Sequence, residues 1–121
     1  MRRKFVAVLN SLVFVHDSSL EFNPDIDGMQ PVWSSRTGVA ISCLPDSDGE
    51  TEIIVAEADP EPGAGLVCVF EGSIETPSGA LVVEVLPHIR LFSIPAPSSK
   101  IVIRIWTDGF MDTRMVMIVI Q

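Results

Sequence analysis

The chain has 121 residues, of which 47% are hydrophobic and 20% charged, with a mean hydropathy of +0.39. Sixteen acidic side chains against eight basic ones leave a formal charge of −8, which excludes a nucleic-acid binder that relies on bulk basicity. A chain of this size folds as one domain, residues 1–121, and buries about two-thirds of its unfolded surface without metals or disulfides; its apolar content excludes collagen-like and wholly disordered chains.

The start, Met1-Arg2-Arg3-Lys4 followed by Phe5-Val6-Ala7-Val8-Leu9, has the outline of a secretory leader. Asn10-Ser11 interrupts the apolar run, and no small-residue cleavage site follows before His16-Asp17. The alternation is that of a β-strand, so a cytoplasmic location is expected, with secretion as the alternative. No apolar run approaches the ~20 residues that cross a bilayer, so no membrane partner is expected.

Residues 5–15 read as one long strand or two kinked at Asn10-Ser11. Residues 18–33 carry Asn23-Pro24, Asp27-Gly28 and Pro31 and read as a long loop. A strand over 38–44 stops at Pro45. Residues 46–49 form a turn whose Asp48-Gly49 step suits a tight hairpin into a strand over 50–58. After a turn at 59–63, a strand over 65–71 continues past a kink to Glu75. Strands over 80–86, 89–94, 100–106 and 113–120 follow, separated by Pro, Gly and Ser. Val, Ile and Phe dominate these segments, and no window carries a helical stripe. The chain is therefore expected to be all-β, an antiparallel β-sandwich of jelly-roll or Greek-key type with about eight or nine strands.

The last strand is apolar on both faces: Met115, Met117 and Val119 alternate with Val116, Ile118 and Ile120. A sheet with one wet face should alternate apolar with polar. Either a loop overlies the outer face or a second subunit covers it, which makes Met115, Met117 and Val119 candidate residues of a homo-oligomer interface. Cys43 and Cys68 both sit in apolar runs and read as buried thiols in a reducing compartment; whether they pair is left open.

Catalytic and metal chemistry is unmarked. There are only two histidines, His16 and His88, no Cys-x-x-Cys, no Gly-x-Ser-x-Gly and no phosphate-cradling glycine loop. The run Asp46-x-Asp48-x-Glu50-x-Glu52 lacks the spacing and closing glutamate of a calcium loop. No catalytic residue, metal or cofactor is expected.

Charge is the more informative signal. Between Arg36 and Arg90 there is no Lys or Arg, while the same interval holds ten acids. Seven of them, Asp46, Asp48, Glu50, Glu52, Glu57, Asp59 and Glu61, fall within residues 46–61. They read as a solvated face that keeps an apolar chain in solution, or as a surface that attracts a basic protein such as a nuclease or toxin. Trp33, after a proline-containing loop, is a core residue or an exposed anchor of that surface. Arg36, Arg90, Arg104 and Arg114 are expected to pair with acids on the sheet faces.

From about Val13 to Ile120 the layout resembles the competence protein J family. Trp33 precedes Gly38-Val39-Ala40-Ile41-Ser42; then come Ser78-Gly79-Ala80-Leu81-Val82-Val83-Glu84 and Arg90-Leu91-Phe92-Ser93-Ile94-Pro95. Ile101-Val102-Ile103-Arg104-Ile105-Trp106 and a terminal apolar strand complete the pattern. The resemblance implies a small β-sandwich without enzymatic activity that binds and silences a nuclease or another toxin, and it carries over no catalytic residues. A small-ligand-binding sandwich and a structural assembly module are the alternatives.

Overall fold

The computed structural model describes residues 1–121 and contains ten strands and one short 3-10 turn. The strands are β1 (Arg2–Val6), β2 (Leu9–Asp17), β3 (Val32–Ser34), β4 (Gly38–Ser42), β5 (Thr51–Ala56), β6 (Val67–Glu75), β7 (Ala80–Leu86), β8 (Ile89–Pro95), β9 (Lys100–Thr107) and β10 (Met115–Ile120). They form two five-stranded sheets, β1-β5-β10-β9-β6 and β3-β4-β2-β7-β8. The all-β sandwich expected from alternation and turn spacing is thus observed. It has ten strands rather than eight or nine because the N-terminal run divides in two and β3 forms inside the expected loop.

One pairing departs from the antiparallel expectation: β10 runs parallel to β5, with Val116 opposite Ile53 and Ile118 opposite Val55. Parallel neighbours need a long connection, and here the chain between them passes through both sheets. The chain also changes sheet between β1 and β2, and Asn10 and Ser11 take φ values of 61° and 56° there. That bulge shifts the register of β2 against β7 between Leu9 and Phe14.

The inner faces meet in a core of 18 buried residues, with Val13 and Val15 of β2, Val39 and Ile41 of β4, Ile53 of β5, Ile103 and Ile105 of β9, and Val116 and Ile118 of β10 among them. The accessible surface is 6281 Å², close to the roughly 6,400 Å² that size scaling gives for a folded monomer.

Each outer face is crossed by a long segment. Residues 18–31 cross the second sheet, where Phe22 stacks on His16 at 5.7 Å and meets Phe14 edge-on at 6.2 Å. Gly38 lies under this crossing: a Cβ there would sit 2.8 Å from His16 Cβ and 2.9 Å from the Val15 carbonyl oxygen. Residues 57–66 connect β5 to β6 and cross the first sheet. Below them Ile54, Ala56, Met117 and Val119 form a second buried cluster, packed by Leu66, Trp106 and Met115.

This accounts for the apolar character of both faces of β10. The strand is central, and its outer face is covered within the chain: Met117 is 8% exposed and Val119 0%. Met115 is half-buried in the same cluster. The pattern therefore needs no second subunit, and Met117 and Val119 are not accessible to one.

The hairpin expected at Asp48-Gly49 does not form. Residues 43–50 carry the chain from β4 in one sheet to β5 in the other, and Asp46–Asp48 close a 3-10 turn. Gly49 has φ 129°, so the local signal for positive φ was sound while its consequence was a change of sheet. Cys43 is buried as expected, but Cys68 on the edge strand β6 is exposed, and both are free thiols. Burial pushes the Cys43 thiol up to about 11, the neighbouring Thr51 hydroxyl offsetting part of the rise.

Candidate functional site

The strand directions sort the loops into two poles. At one pole lie residues 43–50, the turn between β7 and β8, and residues 108–114. At the other lie the ends of β5 and β10, the turn between β6 and β7, and residues 96–99.

The seven acids that are neighbours in sequence are divided between these poles by β5. A strand rises about 3.3 Å per residue, so Glu50 and Glu57, which flank β5, stand roughly 20 Å apart. Two of the seven are neutralised by arginines from other strands. Glu52 pairs with Arg3 at 3.2 Å across the β1–β5 ladder. Asp59 accepts from Arg104 Nε at 2.9 Å and from the Trp106 indole N–H at 3.1 Å. The Arg104 hydrogen bond, helped by Trp106 and the arginine's charge, outweighs desolvation and holds the Asp59 carboxyl below its usual range. The single acidic surface expected over 46–61 is thus not assembled by the fold. Asp59 fastens the crossing segment instead.

What remains together is Asp46, Asp48 and Glu50. All three are exposed and none forms an ion pair. Three hydrogen bonds lock their segment to the 108–114 loop: Leu44 N–H to the Thr113 carbonyl at 2.9 Å, the Thr113 hydroxyl to the Ser42 carbonyl at 3.0 Å, and Glu52 N–H to the Arg114 carbonyl at 2.8 Å. That loop is itself braced by Asp108, whose Oδ1 accepts from Arg114 N–H at 2.9 Å. It presents Phe110 and Met111, 61% and 45% exposed. Arg114 on the same loop forms no ion pair with any of the three acids. The pole therefore combines unneutralised carboxylates with two large apolar side chains. From the sequence the stretch 108–112 reads as the connection between the last two strands, shorter than its counterpart in the competence protein J family, and Phe110 and Met111 were not among the candidate site residues; the available signal was a Phe-Met pair set between Gly109 and Asp112, inside a turn rather than a strand.

Trp33 is half-buried on edge strand β3, and its indole N–H donates to the Asp27 carbonyl at 2.9 Å. It is tied to the 18–31 crossing and not to the acids. Glu57 and Glu61 are exposed and unpaired, but Glu57 stands at the opposite pole and Glu61 on the crossing segment. Of the arginines expected to pair on the sheet faces, Arg36 meets Glu75, Arg90 meets Glu84 and Arg104 meets Asp59 and Glu71, while Arg114 has no such partner.

The buried polar groups serve the fold. Asp17, 0% exposed, accepts at one oxygen from Ser78 N–H at 3.0 Å and Ser78 Oγ at 2.8 Å. At the other it accepts from Ser19 N–H at 2.9 Å and from the Ser19 hydroxyl. Burial alone would raise its carboxyl, but these hydrogen bonds prevail and hold it below the usual range. His16 Nδ1 is 2.8 Å from the Asp17 carbonyl, which only accepts, so Nδ1 carries a proton. Its Nε2 lies 2.8 Å from Glu84 Oε1. No group of three or more His, Cys, Asp or Glu side chains is placed to share a metal ion.

Fold and site together define a two-layer β-sandwich of ten strands, both outer faces crossed by long segments. Among solved structures this architecture is that of ComJ, described as an inhibitor of the DNA degrading activity of NucA, from Bacillus subtilis. The two align with a TM-score of 0.75 over 99% of this chain and 94% of that one, at 10% sequence identity. The resemblance to competence protein J drawn from the sequence therefore holds at the level of the fold. No family model and no curated protein matches the chain.

Proposed function

We propose that this chain is a binding protein that captures a basic protein partner, of the kind a DNA-degrading nuclease presents, through the pole formed by Asp46, Asp48, Glu50, Phe110 and Met111. The observation that carries the reading is the coincidence at one pole of three unpaired carboxylates with two exposed apolar side chains. Charge raises the encounter rate with a positive surface and fixes orientation, while buried apolar and aromatic side chains supply most of the residence time. A nuclease cleft must be positive to hold phosphates, so it is complementary to such a pole. The shared fold with ComJ supports a nuclease as the class of partner. On this reading the chain itself performs no reaction.

The test is inhibition of a purified DNA-degrading nuclease of the source organism, measured as the rate of DNA cleavage. The wild-type chain slows cleavage, less so as salt rises. Replacing Asp46, Asp48 and Glu50 together by Lys weakens inhibition at least tenfold, mainly through slower association, and Phe110→Asp weakens it through faster dissociation. The charge reversal Asp25→Lys, on the 18–31 crossing, leaves it unchanged. Full inhibition by the triple variant would overturn the assignment of the pole.

A further inference from the structure

At the pole away from these acids the sandwich does not close. Between the edge strands β1 and β8 the inner faces separate around a cavity of about 570 Å³, within the range of sites that take small organic molecules. Its apolar walls come from both sheets: Val55 and Ile120 from the inner face of one, Ile94 and Ala96 on the other side. Ile94, Ala96 and Ile120 are continuous with the main core yet only half-buried. The site is thus a half-open cleft whose floor is continuous with the hydrophobic interior.

Its rim carries one guanidinium, that of Arg2. Arg2 lies over the Phe92 ring at 5.2 Å and donates through Nη2 to the Ser93 carbonyl at 3.0 Å. Those two contacts hold the group in place, and no carboxylate pairs with it. Lys4, two residues on along β1, lies over the same ring at 5.6 Å and is likewise without an ion pair. Glu57 also reaches the rim and is not within ion-pair distance of Arg2. The chemistry is an apolar chamber with a fixed, unneutralised cation at its mouth.

We propose that this inter-sheet mouth is a binding site for a small amphiphile with an aliphatic body and an anionic head, a medium-chain carboxylate being the representative. The aliphatic chain enters between Val55, Ile94 and Ile120. The carboxylate accepts from the guanidinium N–H groups of Arg2 that Ser93 leaves free. Glu57 opposes the head's charge and limits affinity. This site stands on its own residues and does not depend on partner capture at the other pole.

The test is calorimetric titration of the full chain with hexanoate, octanoate and decanoate, each below its micelle concentration, with decanol as the uncharged control. Saturable one-to-one binding is expected, tightening about fourfold for each added methylene. Arg2→Met weakens decanoate about tenfold or more and leaves decanol unchanged, and Glu57→Gln tightens decanoate. Ile94→Trp fills the chamber and abolishes binding, as does Ala96→Trp, with folding of both verified by circular dichroism and thermal melting. No saturable binding of decanoate would overturn the proposal. So would an affinity that ignores chain length, or one that survives both tryptophan variants in folded protein.

Discussion

Asp17 shows what one side chain contributes when its surroundings are built for it. It ends β2, and its four hydrogen bonds join the start of the 18–31 crossing, through Ser19, to the turn before β7, through Ser78. Asp17→Ala is expected to cost about 2 kcal/mol, the scale of hydrogen bonds to a charged acceptor whose exposed donors can turn back to water. The sign of the pH dependence follows from the lowered carboxyl. A group lowered in the folded state contributes stability that is complete above the unfolded carboxyl value and is lost as pH falls through the folded one. Urea melts of wild type and Asp17→Asn should therefore differ at pH 7 and converge below the ordinary carboxylate range; a constant gap down to pH 2.5 would show that the charge is not what matters. None of this was legible in the sequence, where Asp17 reads only as a polar residue at a strand end. Its partners are two and 61 positions away, and the second distance is set by strand pairing.

At the scale of elements, the alternation of β10 was readable and its cause was not. Both faces of Met115–Ile120 are apolar, and that pattern limits the answer to a covered strand. Which cover forms depends on where the 57–66 connection goes, which follows from β5 and β6 lying on either side of β10 and β9. Asp59 fixes that crossing by gripping Arg104 and Trp106. Asp59→Ala should free the segment without unfolding the sheets. A glutamate-specific protease should then cut after Glu57 several-fold faster, Trp106 emission should shift to the red, and a dye that senses apolar surface should report the uncovered Met117 and Val119. Unchanged cleavage would mean that Leu66 alone secures the crossing. The Asp48-Gly49 turn failed as a prediction for the same reason that β10 succeeded only in part. Turn chemistry reports a reversal of direction but carries no information about which sheet the next strand joins.

At the scale of the molecule, the charge imbalance was legible as a quantity and not as a distribution. The interval from Arg36 to Arg90 lacks bases, yet β5 carries its acids to opposite poles, and Arg3 and Arg104 approach from distant strands to neutralise Glu52 and Asp59. What survives is a net charge of −8 with Asp46, Asp48 and Glu50 uncompensated at one pole. Like charges this close oppose the compact state and are held apart only by solvent and counter-ions. Raising ionic strength shortens the screening length from about 30 Å at 0.01 M to about 10 Å at 0.1 M. Repulsion across the pole should weaken accordingly, and the melting temperature should rise by a few degrees between 0.01 M and 0.3 M sodium chloride. The ion pairs at Glu52 and Asp59 work in the opposite direction, since screening weakens attraction as well. The triple variant Asp46→Asn, Asp48→Asn, Glu50→Gln separates the two contributions, because it removes the repulsive set and leaves both pairs. It should melt higher than wild type at low salt and gain less, or lose, as salt is added. If wild type and variant respond to salt alike, repulsion among the three carboxylates is too weak to matter, and their uncompensated charge imposes no stability cost that a basic partner would relieve.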